Sequence, residues 1–375
     1  MAAAAVEWYN AHIYYYDDNK TDLILNGVQP LLRAIQSEVE RAFFVRHWLR
    51  GPHLRLRVAA TAHTWRTLVQ PAIETYIGDC LRAQPSTTIL DEATLLPIHA
   101  RLQLDEYEDG PLTPFYPNNS IQYLPYDRRL HVIGDAMIAA EIEAFYAETN
   151  ELVFAMLEYI RSGRSRLEIA FDLMITLPSA ITGALPSGAV SYRSHAEAFI
   201  VKTPNPDGVR RFFDTQYRVR SAALAGRVRQ IIEECSQNAW TMPFLAAWSA
   251  LVSRLWQEKL AQIKDGRLNL AHDRRAAVIS DERAAQLKGQ QLTSPFHKLM
   301  WDDRESSAML YQRPSFQCYR LLLNLQYLLL NRLGIVPFER SMLCHLAANA
   351  VEDVFDVSMT AMLDVKLQQL RASVS

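Results

Sequence analysis

The spacing of apolar positions changes once along the chain. Through the first sixty residues apolar and polar side chains tend to alternate, whereas beyond about residue 130 apolar ones recur every three or four positions. Alternation predicts strands and the longer period predicts helices. EWYNAHIYYY predicts a strand over residues 7–16, followed by a helical segment with Asp22 near its start. AFFVRHW and HLRLRVA then flank a Leu-Arg-Gly-Pro turn, the pattern of a β-hairpin. With Leu49 to Pro52 as the loop, Trp48 faces His53, Arg46 faces Arg55 and Phe44 faces Arg57 on one side, while Val45, His47, Leu54 and Leu56 fill the other. Like charges directly opposite each other are destabilising, so this face requires either a carboxylate or an anionic or polar guest.

A helix is expected at about 64–83, then a loop-rich stretch over 110–129 whose tyrosines and prolines suit a site cover. The helical part begins with residues 141–163, closed by Gly163. The stretches 207–234 and 242–266 predict two long helices joined by a short turn near Asn238. Ser294 fits an N-cap with Pro295 at the first helical position. Residues 315–334 and 337–355 predict the last two helices. The class is α+β: a small antiparallel sheet in the N-terminal third, a mainly helical remainder, and one domain over 1–375 that is sheet-rich over 1–130 and helical over 131–375.

Composition narrows the function classes. A net charge of −2 gives no bulk attraction to nucleic acid or a membrane, so any basic site must be local. The leucines of LLLNLQYLLL are broken by Asn and Gln and fall short of the roughly 20 apolar residues a spanning helix needs. Four scattered cysteines read as reduced thiols in a cytoplasmic protein. No histidines stand at metal-ligand spacing, and no glycine-rich phosphate loop or Gly-x-Ser-x-Gly elbow occurs, so neither a metal nor another cofactor is expected.

Three stretches carry candidate chemistry. On the 315–332 helix, Arg320, Asn324, Tyr327 and Asn331 fall within about 60° of one another amid leucines, with Tyr319 one turn away. Tyr and Asn in place of Lys and Glu favour a stripe lining a polar cavity over one facing water. In YRSHAEAF, His195 and Glu197 would point to one side if the segment were a strand, giving an acid/base pair; Ser294 with His297 offers a dyad or, more simply, a cap. Arg211, Arg218 and Arg229 recur near one helical face, either a solvated surface or a docking surface for an acidic peptide.

The blocks FFVRHWLRGPHLRLR, YLPYDRRLHVIGDAMIAAEIEAFYAETNELV and LNLQYLLLNRLG resemble those of the thiopeptide-type bacteriocin biosynthesis family, which shares the fold of the C-terminal elimination domain of lantibiotic dehydratases. The resemblance implies action on a ribosomally made, leader-bearing peptide. One branch eliminates glutamate from glutamylated Ser or Thr. Another joins two dehydroalanines in a formal [4+2] aza-cycloaddition and aromatises the ring to a pyridine, with loss of water and leader peptide. Eliminating members carry His where this chain has Tyr327, and Glu where it has Tyr126. Losing both removes an acid/base pair that elimination would want, so the resemblance leans to the pyridine-forming branch. A glutamate-eliminating enzyme and a non-catalytic leader-binding scaffold are the alternatives. On this reading Arg46, His53 and Arg55 polarise peptide carbonyls or the developing iminol oxygen, Arg57 also binds substrate, Trp48 and its aromatic neighbours Trp8, Tyr14 and Tyr16 stack on azoles, and the partner is the modified precursor peptide; the alternative for the arginines is a structural salt-bridge cluster with acids such as Asp127.

Overall fold

The computed structural model describes residues 5–182, 185–270 and 281–373. The chain packs as two compact units, Met1–Arg164 with Asn331–Gly334, and Ser165–Leu330 with Ile335–Ser375.

The first unit holds one four-stranded antiparallel sheet. Its strands are β1 (Val6–Tyr14), β2 (Arg41–His47), β3 (His53–Thr61) and β4 (Ser120–Tyr123), in the order β2-β3-β1-β4. The loop-rich stretch over 110–129 therefore contributes a short edge strand, and a helix, Glu92–Glu106, precedes it. The hairpin register differs from the expected one. His47 pairs with His53, Val45 with Arg55 and Phe43 with Arg57. The loop has five residues, Trp48–Pro52, because Arg50 and Gly51 both take positive φ, 61° and 110°. A Cβ on Gly51 would also lie 2.9 Å from the Tyr16 ring. Changing the register by one exchanges the faces, so Arg46 stands opposite Leu54, on the side away from Arg55 and Arg57.

One sheet face has an apolar, fully buried centre of Ala11, Ile13, Phe44, Leu54, Leu56 and Val58, with Arg46 and Tyr9 partly buried at its margins. The other carries Asn10, His12, Tyr14, His47, His53, Arg55 and Arg57. Helices Ala136–Glu148 and Asn150–Arg161 complete the unit, broken at Thr149, whose fully buried hydroxyl donates to the Phe145 carbonyl at 2.7 Å and competes with the helical ladder. Arg332, also fully buried, ties this break down: its guanidinium donates to the Tyr146 carbonyl (2.9 Å), Thr149 Oγ1 (3.0 Å) and Asn150 Oδ1 (2.5 Å), and lies over the Phe44 ring at 4.3 Å.

The second unit is helical among its described residues. The expected 207–234 helix is two, Pro206–Arg218 and Ser221–Gln237, so Arg229 lies on a different helix from Arg211 and Arg218. YRSHAEAF is part of a helix, Leu185–Ile200, not a strand. Residues two apart on a helix diverge by about 200°, so His195 and Glu197 do not share a side. A further helix, Met359–Ala372, follows Pro337–Phe355 and seats Leu363, Leu367 and Leu370 in the core. The Pro314–Arg332 helix buries Leu321, Leu322, Leu323, Leu325, Leu329 and Leu330, each stabilising by roughly 1.5–3 kcal/mol. Among the described residues no helix is long and apolar enough to cross a membrane.

Candidate functional site

The centre of the second unit brings together two residues that stand 132 positions apart. His195 Nδ1 lies 2.6 Å from the Tyr327 hydroxyl. The ring of His195 meets that of Tyr327 edge to face, with centroids 5.1 Å apart. The same hydroxyl is 3.2 Å from Cys344 Sγ, and the Arg340 guanidinium lies 4.9 Å over the phenol ring. Burial pushes the Tyr327 hydroxyl well above the usual phenol range, and the Cys344 thiol up to about 11 for the same reason. At neutral pH the tyrosine therefore keeps its proton, with an imidazole nitrogen and a thiol both in hydrogen-bond contact with its oxygen. Tyr319 is buried nearby in the chain, its hydroxyl donating to the Gly188 carbonyl at 3.0 Å. That contact requires glycine: a Cβ at Gly188 would come within 2.4 Å of Pro178 Cβ and 2.7 Å of the Tyr319 hydroxyl.

The other expected residues of this unit take different roles. Burial raises the Glu197 carboxyl, but a bidentate Arg210 (2.7 and 2.8 Å) and the Ser294 hydroxyl (3.1 Å) outweigh it and hold the group below the usual carboxylate range. Glu197 is thus a committed ion-pair partner, not a proton carrier. Ser294 is the N-cap of Pro295–Asp302, accepting from the His297 amide, while His297 Nε2 meets Ser194 Oγ at 3.2 Å. Along the Pro314–Arg332 helix, Arg320 and Asn324 are exposed and Tyr327 is buried. The stripe therefore faces water at its first two positions, and Arg320 stacks over the Tyr311 ring. Asn331 is partly buried and belongs to the first unit. Arg211, Arg218 and Arg229 are all exposed.

In the first unit, the polar sheet face concentrates cations and neutral rings. His12 stacks on His53 with centroids 4.7 Å apart, and His53 lies 5.4 Å from His47. Burial first, then the neighbouring Arg55 and Arg57, lower His12 to about 2; His47 and His53 also fall well below the ordinary imidazole range. All three stay neutral, so the charge of this face comes from arginine. Arg55 donates through Nε to His53 Nε2 at 3.2 Å, and Arg57 lies 4.3 Å over the Tyr126 ring. Among the described residues neither forms an ion pair, and Arg57 Nε has no hydrogen-bond partner. Asp127 is not their counter-ion, because it accepts from the Arg129 amide; the nearby acids are Glu143, held by Arg128, and Glu108, shared by His47 and Arg129. Arg46, on the opposite face, donates to the Arg332 carbonyl at 3.0 Å and the Asp18 carbonyl at 3.3 Å. It has a structural place, and the expected arginine pairing is corrected.

The expected stacking aromatics are engaged in packing. Trp48 donates to Glu106 at 2.8 Å, Trp8 packs on Phe43 and Tyr126, Tyr14 lies against His53 and Tyr116, and Tyr16 is tied to the Tyr116 carbonyl. The fold also gathers donor atoms of His47, Glu106 and Glu108 within 4.8 Å of one another, a grouping that no spacing in the sequence announces. His47 Nδ1 accepts from the Leu49 amide, which places the proton on Nε2, facing Glu108 at 2.9 Å. Arg129 lies 3.2 Å from the same Glu108 carboxylate, and Glu106 accepts from Trp48 Nε1, so each of the three residues already has a partner within the protein.

These features can be set beside known proteins. Residues 8–351 match the lantibiotic biosynthesis dehydratase C-terminal family. The chain belongs to that family. Among solved structures, the dehydratase C-terminal fold of this chain is similar to a pyridine synthase, TbtD, from thiomuracin biosynthesis, with 31% identity, a TM-score of 0.73, and coverage of 94% of this chain and 99% of that one. It is also similar to TsrL, with 20% identity, a TM-score of 0.71, and coverage of 96% and 98%; at that identity the likeness speaks to the fold alone. No curated protein sequence matches this family member.

Proposed function

We propose that the protein is a pyridine synthase of thiopeptide maturation, acting in the cytoplasm on a modified, leader-bearing precursor peptide. The observation that carries this reading is the likeness to a pyridine synthase, 31% identical along 94% of the chain. In the reaction one backbone amide shifts to its iminol tautomer, so that its C=N and an adjoining dehydroalanine C=C form an azadiene. The C=C of a second dehydroalanine adds across it, two ring bonds form, the iminol hydroxyl leaves as water, and the leader leaves as its amide. No electrons are gained or lost overall, and the aromatic ring drives the eliminations.

What this sequence needs from a protein is proton placement. Tautomerisation removes a proton from an amide nitrogen and puts one on its oxygen; each elimination puts one on a leaving group. The Tyr327 hydroxyl against His195 Nδ1 is a donor and acceptor in contact, able to hand a proton either way. Arg55 and Arg57 offer donors without carboxylate partners, suited to peptide carbonyls, and Arg211, Arg218 and Arg229 remain candidates for holding the leader.

Mass spectrometry tests the reading on a precursor bearing dehydroalanines and azoles. Loss of water with release of an intact leader amide supports it. Loss of a glutamate mass from a glutamylated peptide would instead make the protein an eliminating enzyme, and binding without a mass change would make it a scaffold.

A further inference from the structure

We propose that Arg340 is a positioning residue that makes the buried Tyr327 hydroxyl usable as an acid, by lying over the phenol ring as a cation with no carboxylate partner among the described residues. The inference rests on the assignment of Tyr327 to proton transfer. Its geometry is direct: Arg340 Cζ is 4.9 Å from the ring centroid, and Cys344, one helical turn further along Pro337–Phe355, meets the hydroxyl at 3.2 Å. One face of that helix thus supplies both a cation for the ring and a partner for its oxygen.

Arg340 has no competing commitment among the described residues. The acid beside it, Glu339, is taken by Arg166 in a bidentate pair at 2.5 and 2.7 Å, and no described carboxylate forms an ion pair with Arg340. The side chain is half-buried, so water screens its charge only in part.

The charged and titratable groups around Tyr327 are His195 and Tyr192 from the Leu185–Ile200 helix, and Arg340 and Cys344 from Pro337–Phe355. Tyr192 and Cys344 resist a negative oxygen beside them, as burial does. Arg340 opposes them. Attraction between a guanidinium and a ring is stronger when the ring carries phenolate charge than when it is neutral, so Arg340 stabilises the state after proton donation more than the state before it. An interaction of that kind acts on rate and leaves substrate binding alone.

The test reads the phenol directly. With 3,5-difluorotyrosine placed at position 327, its ionisation is followed by absorbance in the otherwise unchanged chain and in Arg340→Met, Arg340→Gln and Arg340→Lys. Removing the cation is expected to raise the midpoint by about one pH unit, with Lys restoring most of it. In parallel, kcat on the dehydroalanine peptide falls about tenfold with KM unchanged in the Met and Gln variants. A midpoint that does not move in whichever neutral variant folds overturns the proposal. A midpoint that moves in a protein that leaves the peptide unaltered keeps the role of Arg340 and refutes the pyridine synthase reading.

Discussion

Tyr327 and His195 meet through a 2.6 Å contact between the phenol oxygen and imidazole Nδ1, on helices Pro314–Arg332 and Leu185–Ile200. Neither residue has a local signal for the other. The contact exists because the YRSHAEAF segment is helical, which turns His195 toward Tyr327 and Glu197 toward Arg210.

If the two act as one proton-handling unit, their losses do not add. His195→Ala and Tyr327→Phe are each expected to lower kcat by roughly 10²-fold, and the double variant by little more than either single one. Steady-state kinetics on all four proteins measure this; additive losses would separate the residues.

Arg332 is expected to be among the costliest side chains to remove. It is fully buried with three acceptors around it, burial lowers it to about 9, and among the described residues it has no carboxylate partner. Arg332→Ala leaves those acceptors unpaired and is expected to destabilise by about 3 kcal/mol or more, read as a lower urea midpoint.

Acid should weaken the first unit. His12, His47 and His53 are held neutral in the fold, with pKa values below those of unfolded histidine. Their contribution is whole above the unfolded value near 6.5 and is lost as pH falls below it, because the unfolded chain takes up protons that the folded one refuses. Each is worth roughly 2 kcal/mol between pH 6.5 and 5. Urea midpoints at pH 8 and pH 5 check the sign, and His53→Gln should shrink the difference by about a third.

The two sides of the hairpin should respond differently to substitution. Arg55→Gln and Arg57→Gln are expected to raise KM for the peptide several-fold with modest loss of stability. Arg46→Gln, which removes hydrogen bonds to the Arg332 and Asp18 carbonyls, should lower the melting temperature and leave KM unchanged. Equal effects on KM from all three would contradict the corrected register.

Much of this fold is legible in the sequence where local chemistry decides it. The strands of the hairpin, the helix through residues 64–83, the Ser294 cap and the turn near Asn238 all follow from period and capping. What escapes has particular causes. The hairpin loop is five residues because two consecutive positions take positive φ, and Arg50 gives no hint of it. The break at Thr149 comes from a buried hydroxyl bonding back to its own helix, without Pro or Gly to mark it. YRSHAEAF carries no clear period of either kind, with Arg193, Ser194 and His195 polar in a row, so the side on which His195 and Glu197 lie depends on a helix that the segment alone does not announce. The final helix did carry a signal, leucines at 363, 367 and 370. The site was half visible: Tyr327 stands out as a tyrosine where eliminating relatives have histidine, but Arg320 and Asn324 above it face water.

Whether Tyr327 moves a proton during pyridine formation is decided by a single-turnover reaction of wild type and Tyr327→Phe with the same dehydroalanine-bearing precursor. The account predicts pyridine and free leader amide from the wild type, and at least tenfold slower product from a variant that binds the peptide equally well. Equal rates of pyridine formation by the two proteins would contradict it.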